Sequence, residues 1–164
     1  SKAQFAGITI EKRPIELSVF IKKQLLQQSV SIDRKNIEVS LNIEPLEVYF
    51  DENHLRIILR NILQNAIKFS QKGGEISLSS KAYSAREALL EICDNGIGMT
   101  PEKLNQIREG TNSLSEIGTL DEVGFGLGLL ISSQFLNENE GRMEVDSTLN
   151  QGSCFRLYLP RPLN

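Results

Sequence analysis

An α+β sandwich, in which a mixed sheet is covered on one face by helices, is the fold this sequence predicts. Three observations predict it. Apolar residues recur at helical spacing, most clearly between positions 52 and 69. Short alternating or continuous apolar runs, bounded by turn residues, mark strands. The two kinds of segment follow one another without a regular strand–helix–strand alternation. The 164 residues suit one domain, and 40% hydrophobic with 24% charged residues is ordinary for a soluble globular chain.

Taken in order, residues 1–13 form a lead-in in which positions 8–10 alternate enough for a brief strand. Pro14 suits the first position of a helix, where its missing N–H costs nothing. Leu17, Phe20, Ile21 and Leu25 continue that helix to about Ser29. Residues 37–43 alternate as a half-buried strand does, and 46–50 make a second. Asp51 is a good N-cap, and Leu55, Ile58, Leu59, Ile62, Ala66 and Phe69 form one apolar stripe behind it. A turn at 71–74 precedes two paired strands, 75–83 and 88–93. A glycine-bearing loop at 94–99 and a short helix at 101–108 follow. Residues 109–123, rich in Gly, Thr, Ser and Asn, are expected to form a mobile loop. The glycine-dense stretch 124–128 leads into a helix ending near Asn139. Strands at 143–147 and 154–159, joined by a turn at 150–152, close the chain.

Composition excludes several classes of function. A formal net charge of −3 offers no bulk basic patch, which argues against nucleic-acid binding by phosphate neutralisation. No apolar run approaches the roughly 20 residues a membrane span needs. No basic-then-apolar leader opens the sequence, so a cytoplasmic domain without direct membrane contact is expected. Cys93 and Cys154 each sit in an apolar stretch and are expected to be buried, reduced thiols. One histidine and no Cys/His cluster argue against structural zinc. Lys22-Lys23 and Arg34-Lys35 are expected to form a solvated face.

Three constellations carry chemistry. Asn61, Asn65 and Lys68 share one helix stripe beside the apolar face, where carboxamides and an ammonium suit a divalent cation and a phosphate. The same stripe also fits an ordinary polar helix edge. Asp94, at the end of an apolar strand, precedes Gly96, Ile97, Gly98 and Met99; glycines admit a flat ligand, and the carboxylate accepts from an exocyclic amine such as adenine's. A plain Asp-Asn-Gly turn has the same composition. Gly124, Gly126, Leu127, Gly128 and Leu129 open a helix whose first amides and dipole favour a phosphate. A glycine-tolerant helix start reads alike.

Together, and in this order, the three motifs resemble the N box (NILQNAIKFS, 61–70), G1 box (DNGIGM, 94–99) and G2 box (GFGLGL, 124–129) of the histidine-kinase branch of the GHKL ATPases. The segments 140–147 and 152–160 resemble that family's closing strands, so the likeness covers about residues 8–160. The resemblance implies the GHKL (Bergerat) sandwich, with residues 1–13 leading in from a dimerisation helix and 14–164 forming the ATP-binding catalytic domain. It implies that Asn65 ligates Mg2+ on the ATP phosphates with Asn61 in support. Lys68 then contacts phosphate and Phe69 lines the pocket. Asp94 holds the adenine amine, Ser153 reaches the same group through water, and 126–129 offer amides to phosphate. It further implies transfer of the γ-phosphoryl group to a histidine on a separate dimerisation domain, then to the receiver domain of a response regulator.

The sequence departs from the family in one respect. No Phe or Tyr lies between Thr100 and Val123, where relatives often carry an aromatic F box, and the lid is short; Arg108 is the candidate to steady the γ-phosphate. His54, the only histidine, is not followed by an acidic residue and is expected to be a surface or capping-region residue, so the acceptor is expected to lie outside this chain. Relatives that hydrolyse ATP carry a glutamate where Asn61 stands, and asparagine cannot take a proton from water at neutral pH. A nucleotide-binding module without transfer, or an anti-sigma-type protein serine kinase, are the alternatives.

Overall fold

The computed structural model describes residues 9–112 and 126–163. The elements are β1 (Lys12–Glu16), α1 (Leu17–Gln27), α2 (Ser29–Arg34), β2 (Glu38–Ile43), β3 (Glu47–Asp51), α3 (Glu52–Phe69), β4 (Glu75–Ala82), β5 (Glu87–Asp94), α4 (Pro101–Asn112), α5 (Gly126–Glu138), β6 (Arg142–Thr148) and β7 (Gly152–Pro160). Five strands form one sheet in the order β2-β4-β5-β7-β6. Its β2–β4 pair is parallel and the other pairs are antiparallel, so the sheet is mixed as expected. β1 and β3 form a separate antiparallel ribbon.

Alternation along the strands creates the two faces. Ile76, Leu78, Leu90, Ile92, Phe155 and Leu157 are buried. The residues between them, such as Glu75, Ser77, Glu91 and Arg156, are more exposed and face the other way. The apolar stripe of α3 closes the core, with Leu55, Ile58, Leu59, Ile62, Leu63, Ala66 and Ile67 all buried. Each such Leu or Ile contributes about 1.5–3 kcal/mol of transfer free energy. Asp51 caps α3 as predicted, its Oδ1 accepting the His54 N–H at 3.1 Å.

Four expectations change. Pro14 lies inside β1, opposite Tyr49, instead of opening a helix. A two-stranded ribbon has free edges, where a residue without an N–H costs little. The helix begins at Leu17, with Glu16 as the cap: its carboxylate accepts from the Ser18 and Val19 amides. The helix also breaks at Gln28, and α2 follows. α4 runs past Arg108 to Asn112, so residues 109–112 are helical. The rest of the expected mobile loop, 113–123, lies outside the described residues.

The cysteine reading is overturned. Cys93 and Cys154 are directly opposite in the β5–β7 ladder and are joined by a disulfide. Both are half-exposed, on the sheet face away from the helices. Their distance in sequence hid this, because only the strand register brings them together.

Candidate functional site

The loop after β5 is clamped between the end of α3 and the β6–β7 hairpin. The Ile97 N–H donates to the Phe69 carbonyl at 3.1 Å, and the Ile97 carbonyl accepts from the Asn150 N–H at 2.7 Å. Asn95 turns back onto β4, its Oδ1 accepting the Glu75 N–H at 2.8 Å. Backbone approaches this close admit only glycine at two positions. A Cβ on Gly96 would lie 2.1 Å from the Phe69 carbonyl oxygen, and one on Gly98 2.0 Å from that of Thr148. Gly98 also has φ +64°, a left-handed conformation that side chains disfavour.

Asp94 is held at the root of this loop. Its carboxylate accepts the Gly96 N–H at 2.9 Å and also the backbone N–H of Ser153, its partner in the ladder. Burial raises its pKa above the usual carboxylate value, and the two backbone donors pull it back down. The Ser153 hydroxyl is buried and lies 2.8 Å from that of Ser147. The Ser147 hydroxyl in turn accepts the Met99 N–H at 2.8 Å and donates to the Gly152 carbonyl at 3.0 Å. Ser147 thus links the loop to the hairpin. Sequence reasoning passed over it; its place among the closing strands was the only signal. Met99 is buried while Ile97 stays 43% exposed, leaving apolar surface beside Asp94.

On α3 the three stripe residues have different surroundings. The Asn61 carboxamide is turned to α5, where Nδ2 donates to the Gly128 carbonyl at 3.0 Å and approaches the Ser132 hydroxyl at 3.2 Å. Gly128 lies against it; an added Cβ there would be 3.2 Å from Asn61 Cγ. One turn on, Asn65 is half-exposed and its carboxamide has no hydrogen-bond partner among the described residues. Lys68 is exposed, its ammonium 5.3 Å from the centre of the Phe69 ring.

The C-terminus of α3 carries an anchor that the sequence did not disclose. Lys35, read as part of a solvated face, places its ammonium 2.9 Å from the Ile67 carbonyl, 3.0 Å from that of Lys68 and 2.9 Å from that of Ser70. Three carbonyls at the negative end of the helix dipole are thereby satisfied by one cation. Lys35 thus fixes the segment that bears Lys68 and Phe69.

At the start of α5, Gly126 opens the helix, Leu127 is 45% exposed and Leu129 is fully buried. The first-turn amides of 126–129 are oriented by the helix they begin. Gly124, the first glycine of that motif, lies outside the described residues. Arg108 engages β6: its guanidinium donates to the Val145 carbonyl at 2.6 Å and to Asp146 Oδ1 at 2.7 Å. His54 stacks on Phe135 with ring centroids 4.0 Å apart, and its Nδ1 lies 3.0 Å from the amide nitrogen of buried Asn139. That is a packing role, where a surface or capping-region histidine was expected. Among the described residues no three His, Cys, Asp or Glu side chains gather as a metal site. None of the described helices is long and apolar enough to cross a membrane.

Comparison with known proteins agrees with this geometry. Residues 50–163 match the family model of histidine kinase-, DNA gyrase B- and HSP90-like ATPases. The chain belongs to that family, as an ATP-binding catalytic domain of the histidine-kinase type. It is 32% identical over 164 residues to the adaptive-response sensory kinase SasA of Gloeothece citriformis, covering 98% of this chain and 41% of that protein. Among solved structures, a mycobacterial sensor histidine kinase, MprB, superposes with a TM-score of 0.75 at 26% identity, over 93% of this chain and all of that one. Full-length ShkA in complex with AMPPNP superposes with a TM-score of 0.79 at 27% identity, over 97% of this chain and 33% of that one. The chain spans about two fifths of the length of the SasA kinases of Gloeothece citriformis and Crocosphaera subtropica.

Proposed function

We propose that this domain binds ATP with Mg2+ and donates the γ-phosphoryl group to a histidine on the dimerisation domain of its own protein, in the cytoplasm. The phosphoryl group then passes to an aspartate in the receiver domain of a response regulator. Residues 14–164 form the catalytic domain, and 1–13 lead in from the dimerisation helix.

The observation that carries this reading is the Asp94 carboxylate, part-buried and fixed by the Gly96 and Ser153 amides at the mouth of an exposed apolar loop. A carboxylate so held keeps its remaining lone pairs in one direction and suits a flat base bearing an amine. Ile97, Met99 and Phe69 contact the base, with Ser153 in support. Lys68 neutralises phosphate charge, and the amides of Gly126, Leu127, Gly128 and Leu129 face the phosphates.

Asn65 fits a hard cation: it is half-exposed, its carboxamide has no hydrogen-bond partner among the described residues, and such ions are commonly held by one or two protein oxygens plus phosphates and water. When bound, Mg2+ neutralises charge on the phosphate oxygens. Asn61 acts through position, tying α3 to the first turn of α5. Phosphoryl transfer needs mainly such placement and neutralisation. Asn61 cannot serve as a base for water, which disfavours hydrolysis.

Equilibrium titration with a fluorescent ATP analogue, with and without Mg2+, tests the binding step. Tight binding only with Mg2+ is the expected result, and indifference to Mg2+ refutes the Asn65 assignment. Incubation of the chain with its histidine-bearing dimerisation domain and radiolabelled ATP tests the transfer. Acid-labile label on that domain, with none on His54, is expected; label on His54, or release of free phosphate alone, would count against it.

A further inference from the structure

We propose that Cys93 and Cys154 are a reversible redox modification site whose disulfide sets the affinity of the nucleotide-base pocket. The proposal rests on the reading of Asp94 as the base contact.

Register carries the argument. Cys93 pairs with Cys154, and the next pair in the same ladder is Asp94 with Ser153. Side chains alternate along strands, so the sulfurs lie on the open face while the Asp94 carboxylate and the Ser153 hydroxyl lie on the helix side. The covalent link is one residue from the hydrogen bond that holds Asp94 to the Ser153 amide. It holds the two Cα atoms 4.1 Å apart. Without it, β5 and β7 are tied beside the pocket only by their ladder hydrogen bonds and packing, as in any antiparallel pair.

The sulfurs are reachable. Both cysteines are half-exposed, and Cys93 lines a shallow groove of about 250 Å³ with Glu38, Ser40, Glu75, Ser77, Asp94 and Asn95. The groove is acidic, so a neutral small disulfide approaches more readily than an anionic one. The step is thiol–disulfide exchange. One cysteine loses its proton, and its thiolate attacks a sulfur of the small disulfide, expelling one thiolate and leaving a mixed disulfide. The second cysteine thiolate attacks the protein sulfur of that bond, expelling the second. The released thiolates take up the two protons. The protein dithiol has lost two electrons and the small disulfide has gained them.

A cross-linked pair holds Asp94 and Ser153 preorganised, and preorganisation raises affinity. The oxidised chain is thus the tighter binder.

The test uses the chain reduced with dithiothreitol or oxidised with 2-hydroxyethyl disulfide. Iodoacetamide labelling is read by intact mass, and ADP affinity is measured by calorimetry in each state. Two alkylated thiols in the reduced chain, none in the oxidised, and an affinity weakened by about threefold or more on reduction are expected. The Cys93→Ser, Cys154→Ser double variant should bind as the reduced chain does and ignore the oxidant. Should that variant unfold, the Cys93→Ala, Cys154→Val pair replaces it. Persistent alkylation after oxidation, or equal or tighter binding on reduction, overturns this proposal alone. Failure to bind ADP in either state overturns the base-pocket reading and this proposal with it.

Discussion

Asn61 on α3 and Gly128 on α5 are joined by one hydrogen bond, the carboxamide donating to the helix carbonyl at 3.0 Å. This contact couples the helix that carries Asn65 and Lys68 to the helix start whose amides are assigned to phosphate. Asn61→Asp reverses the polarity: a carboxylate cannot donate, and it faces the carbonyl's negative end. We expect a loss of about 1–3 kcal/mol in stability together with weakened nucleotide binding. Chemical denaturation and ATP-analogue titration check it; unchanged stability would show the tie to be incidental.

Asn65 should separate the two effects. It is half-exposed and has no partner among the described residues, so its substitution leaves no buried group stranded. Asn65→Asp is expected to change the thermal midpoint little while impairing Mg2+-dependent phosphotransfer. Surface changes of this kind usually stay within about 0.5 kcal/mol. A large fall in midpoint with intact Mg2+·ATP binding would assign the residue to structure.

Lys35→Met removes the cation from the end of α3 while keeping most of the aliphatic stem. Three carbonyls lose a charged donor, and we expect destabilisation of about 1–3 kcal/mol. Lys35→Arg should restore part of it, because the charge remains. Equal denaturation midpoints for the wild type and the methionine variant would show that water replaces the ammonium without cost.

What was legible in the sequence follows from range. The α3 stripe and its Asp51 cap are local patterns, and both were readable because tertiary context had little to override. Asp94, Gly96 and Gly98 were readable as a loop of the right composition, although the contacts that demand glycine come from Phe69 and Thr148, elsewhere in the chain. Lys35, Ser147 and the Cys93–Cys154 pair were not readable. Each gains its role from a partner set by strand register or helix docking, and no local pattern encodes that. Pro14 misled because its preference for a first helical turn is local, while the β1–β3 ribbon is not.

The pH dependence of binding should trace to Asp94. Burial raises its pKa above the ordinary carboxylate value in the folded chain, against the opposing pull of the Gly96 and Ser153 amides. A base amine needs the charged form as acceptor, so affinity falls as pH drops through that raised pKa, sooner than an unperturbed carboxylate would give. The sign for stability is opposite. A carboxyl whose folded pKa is raised contributes stability below its unfolded pKa and loses that contribution as pH rises through the folded one. At neutral pH the charge therefore does not favour folding, and Asp94→Asn, whose oxygen can still accept the Gly96 N–H, should leave the midpoint unchanged or slightly higher. Its adenine-nucleotide affinity should fall by about 1.5–3 kcal/mol, roughly 10- to 150-fold, with weaker preference for adenine over guanine. ADP titrations from about pH 8 down to about pH 4 should show an acid limb in the wild type and a flattened one in the variant. An unchanged dissociation constant in the variant, or an acid limb that survives it, would mean that another group holds the base.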